Sequence, residues 1–246
     1  MDDNAILSLQ KDISGYVGKM FRESFGKGPQ SVYTSVGYTF ITIYLRNFLT
    51  PSERVLLEQD QIMTIMQMRD KLMDTLIPEL RAFIEITTSK KIQEVYYDWN
   101  LHNKSGMVTC ISSEPFTPKE VLVEEYIGKE KVDNEVIQIS KQAQKIPEEI
   151  YSCEINERTL VIIRNGILVR IEKELIRLGH GDLLKRVKRN LEKGYLHNNS
   201  QLEATLNKQI IEMFVDWDFD LDKSVILFVL NPTDPKKHSY RQVDIE

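Results

Sequence analysis

Apolar residues near the start of the chain recur at the spacing of one helix face. They fall three or four positions apart: Ile6, Leu9, Ile13, Tyr16, Val17 and Met20. Because an α-helix completes a turn in about 3.6 residues, this pattern predicts an amphipathic helix over residues 5–25. Gly26 and Pro29 are expected to end the helix.

A hairpin and a long helix are predicted next. Residues 31–36 and 39–46 are rich in Val, Ile, Thr and Tyr, which is typical of two paired strands. Thr50-Pro51-Ser52-Glu53 is typical of a helix start, in which threonine caps the helix and glutamate completes a capping box. The helix is predicted to run towards Thr87, with a kink or break at Pro78. Two strands, at 92–101 and 106–113, are predicted to follow.

The second half of the chain predicts the same order of elements. Thr117-Pro118-Lys119-Glu120 resembles the earlier helix start and predicts a helix that extends to residue 144. A later helical region, 168–206, is expected to break near Gly179–Gly181 and at Gly194. The strands are predicted at 150–155, 158–164, 210–219 and 224–230.

Individual residues repeat as well. Leu49 aligns with Leu168 at an offset of 119 residues, and after a one-residue slip Asp98-Trp99 aligns with Asp216-Trp217. The alignment also pairs Glu53 with Glu172, Leu72 with Leu191, and Arg46-Asn47 with Arg164-Asn165. A match that holds near one offset across helices and strands indicates an internal duplication.

These patterns predict an α+β fold made by tandem duplication of an α-β-β-α-β-β unit with antiparallel sheets. We expect a first copy at 1–116, a diverged second copy at 117–232 and a polar tail at 233–246. The copies are expected to pack with pseudo-twofold symmetry, since twofold pairing is the commonest closed arrangement. Met63–Met73, Leu76, Ile77 and Leu80 are candidate interface residues; alternatively, they serve only the sheet of their own copy.

Composition narrows the classes of function. The net charge is −5, which argues against a nucleic-acid partner. The basic residues Lys185-Arg186 and Lys188-Arg189 are interpreted as the exposed face of an amphipathic helix. The acidic start of the sequence lacks signal-peptide features, and no apolar run approaches the ~18 residues that span a bilayer. We therefore expect a cytoplasmic protein without direct membrane insertion.

Two segments are candidate sites. The row Asp216, Asp218, Asp220 and Asp222 lacks the glycine and final glutamate of an EF-hand, so we interpret it as the solvated face of a strand, with a weak cation or partner site as the alternative. Gly26-Lys27-Gly28-Pro29 follows a helix rather than preceding one, so it does not fit a phosphate-binding loop. It is interpreted as a helix-ending turn, with an anion or partner contact as the alternative.

The sequence contains no recognisable catalytic or metal-binding motif. The histidines His102, His180, His197 and His238 form no zinc-binding pattern, and no nucleophile elbow is present. We therefore expect no cofactor and no metal, while an unfamiliar active site stays open.

The order of these motifs resembles the MpsC-like family of small bacterial proteins. The resemblance is carried by Gly26–Pro29, by Leu49-Thr50-Pro51-Ser52-Glu53, and by the ending from Asp218 to Pro232. It implies an accessory component of a membrane-potential-generating system that is linked to inorganic-carbon uptake.

The sequence leaves three functions open. The first is a non-enzymatic accessory or regulatory protein that docks to a membrane transporter subunit for cations or bicarbonate. The second is a ligand sensor with a pocket between the two copies, and the third is an enzyme with an unrecognised site. A protein partner is expected in the first case, and a homodimer is left open.

Overall fold

Both halves of the chain adopt the predicted order of elements. The computed structural model describes residues 3–231, and the predicted polar tail lies outside them. The chain divides between Leu122 and Val123 into two units, called here the first copy and the second copy. Each contains one helix, two strands, a helical segment and two more strands.

The elements of the first copy follow the sequence pattern closely. They are α1 (Asp3–Phe25), β1 (Ser31–Gly37), β2 (Phe40–Arg46), α2 (Pro51–Glu58), α3 (Ile62–Thr88), β3 (Ile92–Asn100) and β4 (Ser105–Ser112). The predicted capping box at Thr50 and Glu53 is present, with proline in the first turn of α2. The elements of the second copy are α4 (Lys129–Ala143), β5 (Glu149–Asn156), β6 (Thr159–Asn165), α5 (Arg170–Arg177), α6 (Gly181–His197), α7 (Ser200–Leu206), β7 (Gln209–Asp218) and β8 (Lys223–Asn231).

The two sheets have the same topology. The strand order is β1-β2-β4-β3 in the first copy and β5-β6-β8-β7 in the second, and all pairs are antiparallel. Left-handed backbone positions repeat too: Asn47 (φ 50°) corresponds to Gly166 (φ 63°), and Lys104 (φ 52°) to Asp222 (φ 49°). The predicted duplication and the α+β fold are confirmed.

The break in the first copy's long helix is not at Pro78. The chain leaves the helix after Glu58, and Asp60 takes a left-handed conformation (φ 55°) before α3 begins. Asp60 corresponds to Gly179 (φ 82°), which ends α5 in the second copy as predicted. Pro78 lies inside α3 on its exposed side, where solvent can hydrate the carbonyl group that loses its helical partner.

Two further helix boundaries were predicted wrongly. Gly194 lies inside α6, and the break comes after His197, where the Asn199 side chain caps α7. Thr117-Pro118-Lys119-Glu120 starts no α-helix but only a short 3₁₀ turn at Lys119–Val121. The Thr117 hydroxyl instead accepts a hydrogen bond from the backbone of Tyr38, so it is not available to cap a helix.

Each copy has a hydrophobic core between its helices and its sheet. In the first copy, Met73, Leu76 and Leu80 of α3 belong to this core together with residues of β2 and β4, and Ile77 packs against it. The candidate interface residues at these positions thus serve their own copy's sheet. Met63 and Met68 are exposed.

The two tryptophans occupy equivalent buried positions, as the alignment predicts. Trp99 is 2% exposed and Trp217 is 1% exposed. Trp99 is opposite Gly106 on β4, and Trp217 is opposite Ser224 on β8. A Cβ atom on Gly106 would lie 2.3 Å from the Trp99 ring, so glycine is required for the ring to lie over β4.

We predict that Trp99→Ala and Trp217→Ala each lower the free energy of unfolding by about 3–5 kcal/mol, because each leaves a large void in a packed core. Denaturant titration monitored by circular dichroism measures the loss. Tyr33→Ala is the control, since Tyr33 is 50% exposed. A loss below about 1 kcal/mol for either tryptophan would contradict its place in the core.

Candidate functional site

A buried ion pair joins α2 to α3 in the first copy. The Arg69 Nε atom is 2.7 Å from Glu53 Oε1, and Nη2 is 2.9 Å from Oε2, with both side chains fully buried. Glu53 Oε2 also accepts a hydrogen bond from the backbone of Thr50, which is the capping-box interaction. The helix start identified in the sequence therefore also forms one half of a buried bidentate pair.

Aromatic rings surround the arginine of this pair. The Arg69 guanidinium carbon lies 4.8 Å from the centre of the Phe48 ring and 4.6 Å from the Trp99 ring, and Nη2 donates to the Phe48 carbonyl oxygen. Cation–π attraction is strongest where the cation is desolvated, as it is here. Glu53, Arg69 and Trp99 form what we call the first cation cluster.

Charge and burial act in opposite directions on the pKa of the Glu53 carboxyl group. Burial alone would raise its pKa, but the hydrogen bond and positive charge of Arg69 and the bonds from Thr50 hold the pKa below its usual value. Glu53 is therefore ionised at neutral pH, which keeps the cluster fully charged.

The second copy repeats this cluster with lysine in place of arginine. Lys188 Nζ is 2.7 Å from Glu172 Oε1 and lies 5.3 Å from the centre of the Trp217 ring. Glu172 and Lys188 are each 119 positions after Glu53 and Arg69. Gln144 also accepts a hydrogen bond from Lys188. Glu172, Lys188 and Trp217 form the second cation cluster.

A polar network without a counterpart in the first copy lies beside the second cation cluster. The buried Arg164 donates from Nε to Ser224 at 2.8 Å, from Nη1 to Ser140 at 2.8 Å, and from Nη2 to Glu192 at 2.7 Å. Each guanidinium nitrogen has a partner, which is the condition under which a buried charge is tolerated. Gln144 connects this network to Lys188 through Glu192.

The corresponding positions of the first copy are apolar or glycine. Phe21, Leu45, Met73 and Gly106 stand where the second copy has Ser140, Arg164, Glu192 and Ser224. Phe21 contacts the Trp99 and Phe48 rings at centroid distances of 6.1 and 5.4 Å. The copies thus share the cation cluster but differ in what packs beside it.

The basic residues of α6 are not all on an exposed face. Lys188 and Arg189 are buried, and Arg189 Nη2 is 2.7 Å from Asp216 Oδ1. Asp216, expected to face water, is buried and also lies 3.3 Å from Lys185. Both expectations were wrong because each buried charge has a partner of opposite sign, Glu172 for Lys188 and Asp216 for Arg189, which reduces the cost of burial.

The remaining aspartates of the row do not share a strand face. β7 ends at Asp218, whose carboxylate accepts the backbone N–H groups of Asp220 and Leu221 in the turn. Asp222 accepts the backbone N–H groups of Ile167 and Leu168 and lies 2.8 Å from Lys173. Burial would raise the pKa of Asp222, but these partners hold it below its usual value.

The Gly26–Pro29 segment ends α1, as predicted. Gly26 has the left-handed conformation (φ 71°) that commonly follows a helix. Lys27 Nζ donates to the Leu49 carbonyl oxygen at 3.0 Å, which connects this turn to the residue before the Thr50 cap. A role as an anion or partner contact stays a prediction.

Both cysteines and Ser152 are buried. Burial raises the pKa of the Cys110 thiol to about 12 and that of Cys153 to about 11, so both are protonated at neutral pH. The Ser152 hydroxyl lies 3.1 Å from Lys129 Nζ, a pairing that can activate serine. It is fully buried, however, and is also bound by Asp133.

Sequence reasoning missed the cations of both clusters. Arg69 and Lys188 stand at the repeat offset of 119, but a charged residue on an amphipathic helix is ordinarily assigned to solvent. The sequence alignment paired Arg164 with the exposed Arg46. The strand register shows that Arg164 corresponds to Leu45 instead, because Arg164 is opposite Ser224 and Leu45 is opposite the equivalent residue, Gly106. The signal that could have found the clusters is a glutamate at the start of a helix, Glu53 or Glu172, with a cation 16 residues later in both copies.

Within residues 3–231, no group of three or more His, Cys, Asp or Glu side chains is arranged to hold a metal ion. Over the same range, none of the helices has the length and apolar character needed to cross a membrane.

Comparison with known proteins identifies one family. A family model described as "Na+-translocating membrane potential-generating system (MpsC)" matches residues 6–114 and 128–232. The two matched segments correspond to the two copies. No curated protein and no solved structure matches the chain.

We predict that Arg69→Met lowers the free energy of unfolding by about 3–5 kcal/mol, because it leaves the Glu53 carboxylate buried without its partner. Chemical denaturation measures the change. Lys71→Met is the matched control on α3, since the Lys71 side chain is 76% exposed. A loss for Arg69→Met no larger than that of the control would show that the pair contributes nothing.

We also predict that acid destabilises the protein through Glu53 and Asp222. Because the folded state lowers both pKa values, their stabilisation is fully present above the usual values of 4.5 and 3.8 and is lost as the pH falls through the lower folded values. Melting temperatures measured from neutral to acidic pH test this. Asp222→Asn should flatten part of the acid dependence; an unchanged profile would contradict the role of Asp222.

Proposed function

The chain belongs to the MpsC family, and from this membership we propose that it is a non-enzymatic accessory component of a Na+-translocating, membrane-potential-generating system. In this proposal it acts from the cytoplasm by docking to the membrane part of that system. The sequence resemblance implied transport of a cation or of bicarbonate. The family description names sodium, so the proposal concerns sodium.

The observation that carries the proposal is the presence of two family domains with the same cation cluster. In each copy a glutamate and a cation form an ion pair inside the core: Glu53 with Arg69, and Glu172 with Lys188. Charged side chains that pair inside the core hold each copy in one rigid conformation, and a docking domain presents a rigid surface to its partner.

The duplication favours a scaffold role as well. Two linked domains bind with an effective concentration that a single domain lacks, so weak contacts to a membrane partner add up. The copies differ where Arg164, Ser140, Glu192 and Ser224 replace apolar residues and glycine. These four residues are buried, so the divergence lies in the core of the second copy.

The test compares cells that contain and lack this chain. We predict that deletion reduces the sodium-dependent membrane potential, measured with a voltage-sensitive dye, and that the wild-type chain restores it. The purified chain, added alone to sealed vesicles, should produce no sodium uptake, because translocation belongs to the partner. An unchanged potential after deletion would contradict the proposal, and so would sodium uptake with the chain alone.

A further inference from the structure

The edge strands of the two sheets differ in how they are protected against pairing with another chain. Three of them, β3, β5 and β7, carry charged residues and a register shift that interrupts the regular ladder. Charges and bulges of this kind keep a sheet edge from adding a further strand. The fourth edge strand, β1, has no charged residue, no proline and no register shift. Among the described residues, β1 is therefore the one edge strand without such protection.

The backbone groups of β1 that face its open edge belong to Val32, Thr34 and Val36. Gly37 and Phe40 pair across the two-residue turn to β2, so the hydrogen bonds to β2 come from Gly37 and from every second residue before it. The residues between them direct their N–H and C=O groups to the edge instead. No backbone hydrogen bond from another described segment of the chain reaches these groups.

The equivalent edge of the second copy is covered by an extended segment of its own chain. Val123 exchanges two backbone hydrogen bonds of 3.0 Å with Glu154 on β5, which corresponds to Val36 on β1. The position 119 residues before Val123 is Asn4, which lies inside α1. The edge therefore accepts an extended strand in the second copy, and the described part of the first copy does not supply one.

The edge of β1 is complementary to itself. Val32, Thr34 and Val36 read the same in both directions about Thr34, so two antiparallel β1 strands can pair around a twofold axis at this residue. Val32 then lies opposite Val36 of the partner molecule, and the two threonines lie opposite each other. Such β-branched and threonine pairs stabilise antiparallel strands. Because β1 has no charged residue, no like charges meet across the axis.

The helix that packs on β1 is small-sided where it meets the strand. The Ser14 hydroxyl oxygen lies 2.8 Å from the Thr34 hydroxyl oxygen, and a Cβ atom on Gly18 would lie 3.8 Å from Val32 Cγ2. Serine and glycine at these positions reduce the bulk that a second molecule would meet beside the edge. Tyr33, whose side chain lies on the other face of the strand, is 50% exposed, so the middle of β1 is also accessible from that face.

We propose that two molecules of this chain pair through β1, antiparallel and centred on Thr34, which joins their first-copy sheets into one continuous sheet. The three outward-facing residues of each strand exchange backbone hydrogen bonds with those of the other. The occupant of the edge is a second molecule of the chain because the pattern of the strand matches itself in this register. The pairing does not depend on the proposed docking function.

Sedimentation equilibrium of the full chain tests the dimer. Over roughly 1–100 μM the wild-type chain should pass from monomer to dimer, because pairing of one strand edge forms an interface at the low end of the size range. Tyr33→Lys with Ser35→Lys, and Tyr33→Glu with Ser35→Glu, should each raise the dissociation constant at least about tenfold. In the proposed register residue 33 of one molecule lies opposite residue 35 of the other, so each double variant opposes like charges.

Mixing the two double variants distinguishes lost pairing from lost folding. An equimolar mixture should dimerise again at low ionic strength, since every charged pair across the axis is then attractive. Misfolding cannot produce this gain. The control is Gln67→Lys with Thr75→Lys, which adds the same charge at exposed positions of α3 and should leave dimerisation of the chain unchanged.

Disulfide formation in the full chain tests the register. The Cα atoms of a hydrogen-bonded antiparallel pair lie about 5.5 Å apart, a distance that a disulfide spans. Oxidised glutathione should therefore link Thr34→Cys into a covalent dimer. Val32→Cys is the matched control and should stay unlinked, because it lies about 13 Å from the same residue of the partner molecule. Cys110 and Cys153 are buried and do not compete.

Four results would each overturn the inference. The first is a wild-type chain that stays monomeric over the whole concentration range, and the second is a dimer that persists unchanged in both double variants. The third is a mixture of the double variants that stays monomeric, and the fourth is equal cross-linking of Thr34→Cys and Val32→Cys. Because the membrane-potential measurement compares cells with and without the chain, the proposed function and this inference can fail separately.

Discussion

A buried charge pair beneath a tryptophan is the interaction on which each copy depends. In the first copy the bidentate pair of Glu53 and Arg69 joins the start of α2 to α3, and the Trp99 ring from β3 covers the guanidinium group. Three elements of the chain thus meet at one desolvated cation. Removing any one partner leaves a charge or a ring without its contact, and an uncompensated buried charge is among the costliest defects in a core.

The duplicated chain keeps this interaction while changing its surroundings. Lysine replaces arginine in the second copy, and Gln144 provides an additional hydrogen bond that connects the cluster to the Arg164 network. The second copy therefore buries more charge than the first and neutralises it locally. The inward face of α6 carries these ion pairs together with the buried Leu184 and Leu196.

Much of this fold could be predicted from the sequence, and the exceptions have physical causes. The capping box at Thr50 and the strands flanking Trp99 follow from local rules that tertiary contacts did not override. Asp60 was missed because aspartate is less conspicuous than glycine at a left-handed position, although both occur there. Lys188 and Asp216 were assigned to solvent, and Arg69 was not singled out, because a single charged residue is costly to bury and a sequence does not display the partner that removes the cost.

The central claim is that the carboxylate and the cation of each cluster stabilise the copy through each other. A double-mutant cycle with Glu53→Gln, Arg69→Met and their combination measures this directly by denaturant titration. The account predicts a coupling free energy of roughly 2 kcal/mol or more, with the double variant more stable than the sum of the single losses implies. Losses that simply add would contradict it, because they would mean that the two side chains stabilise the fold independently.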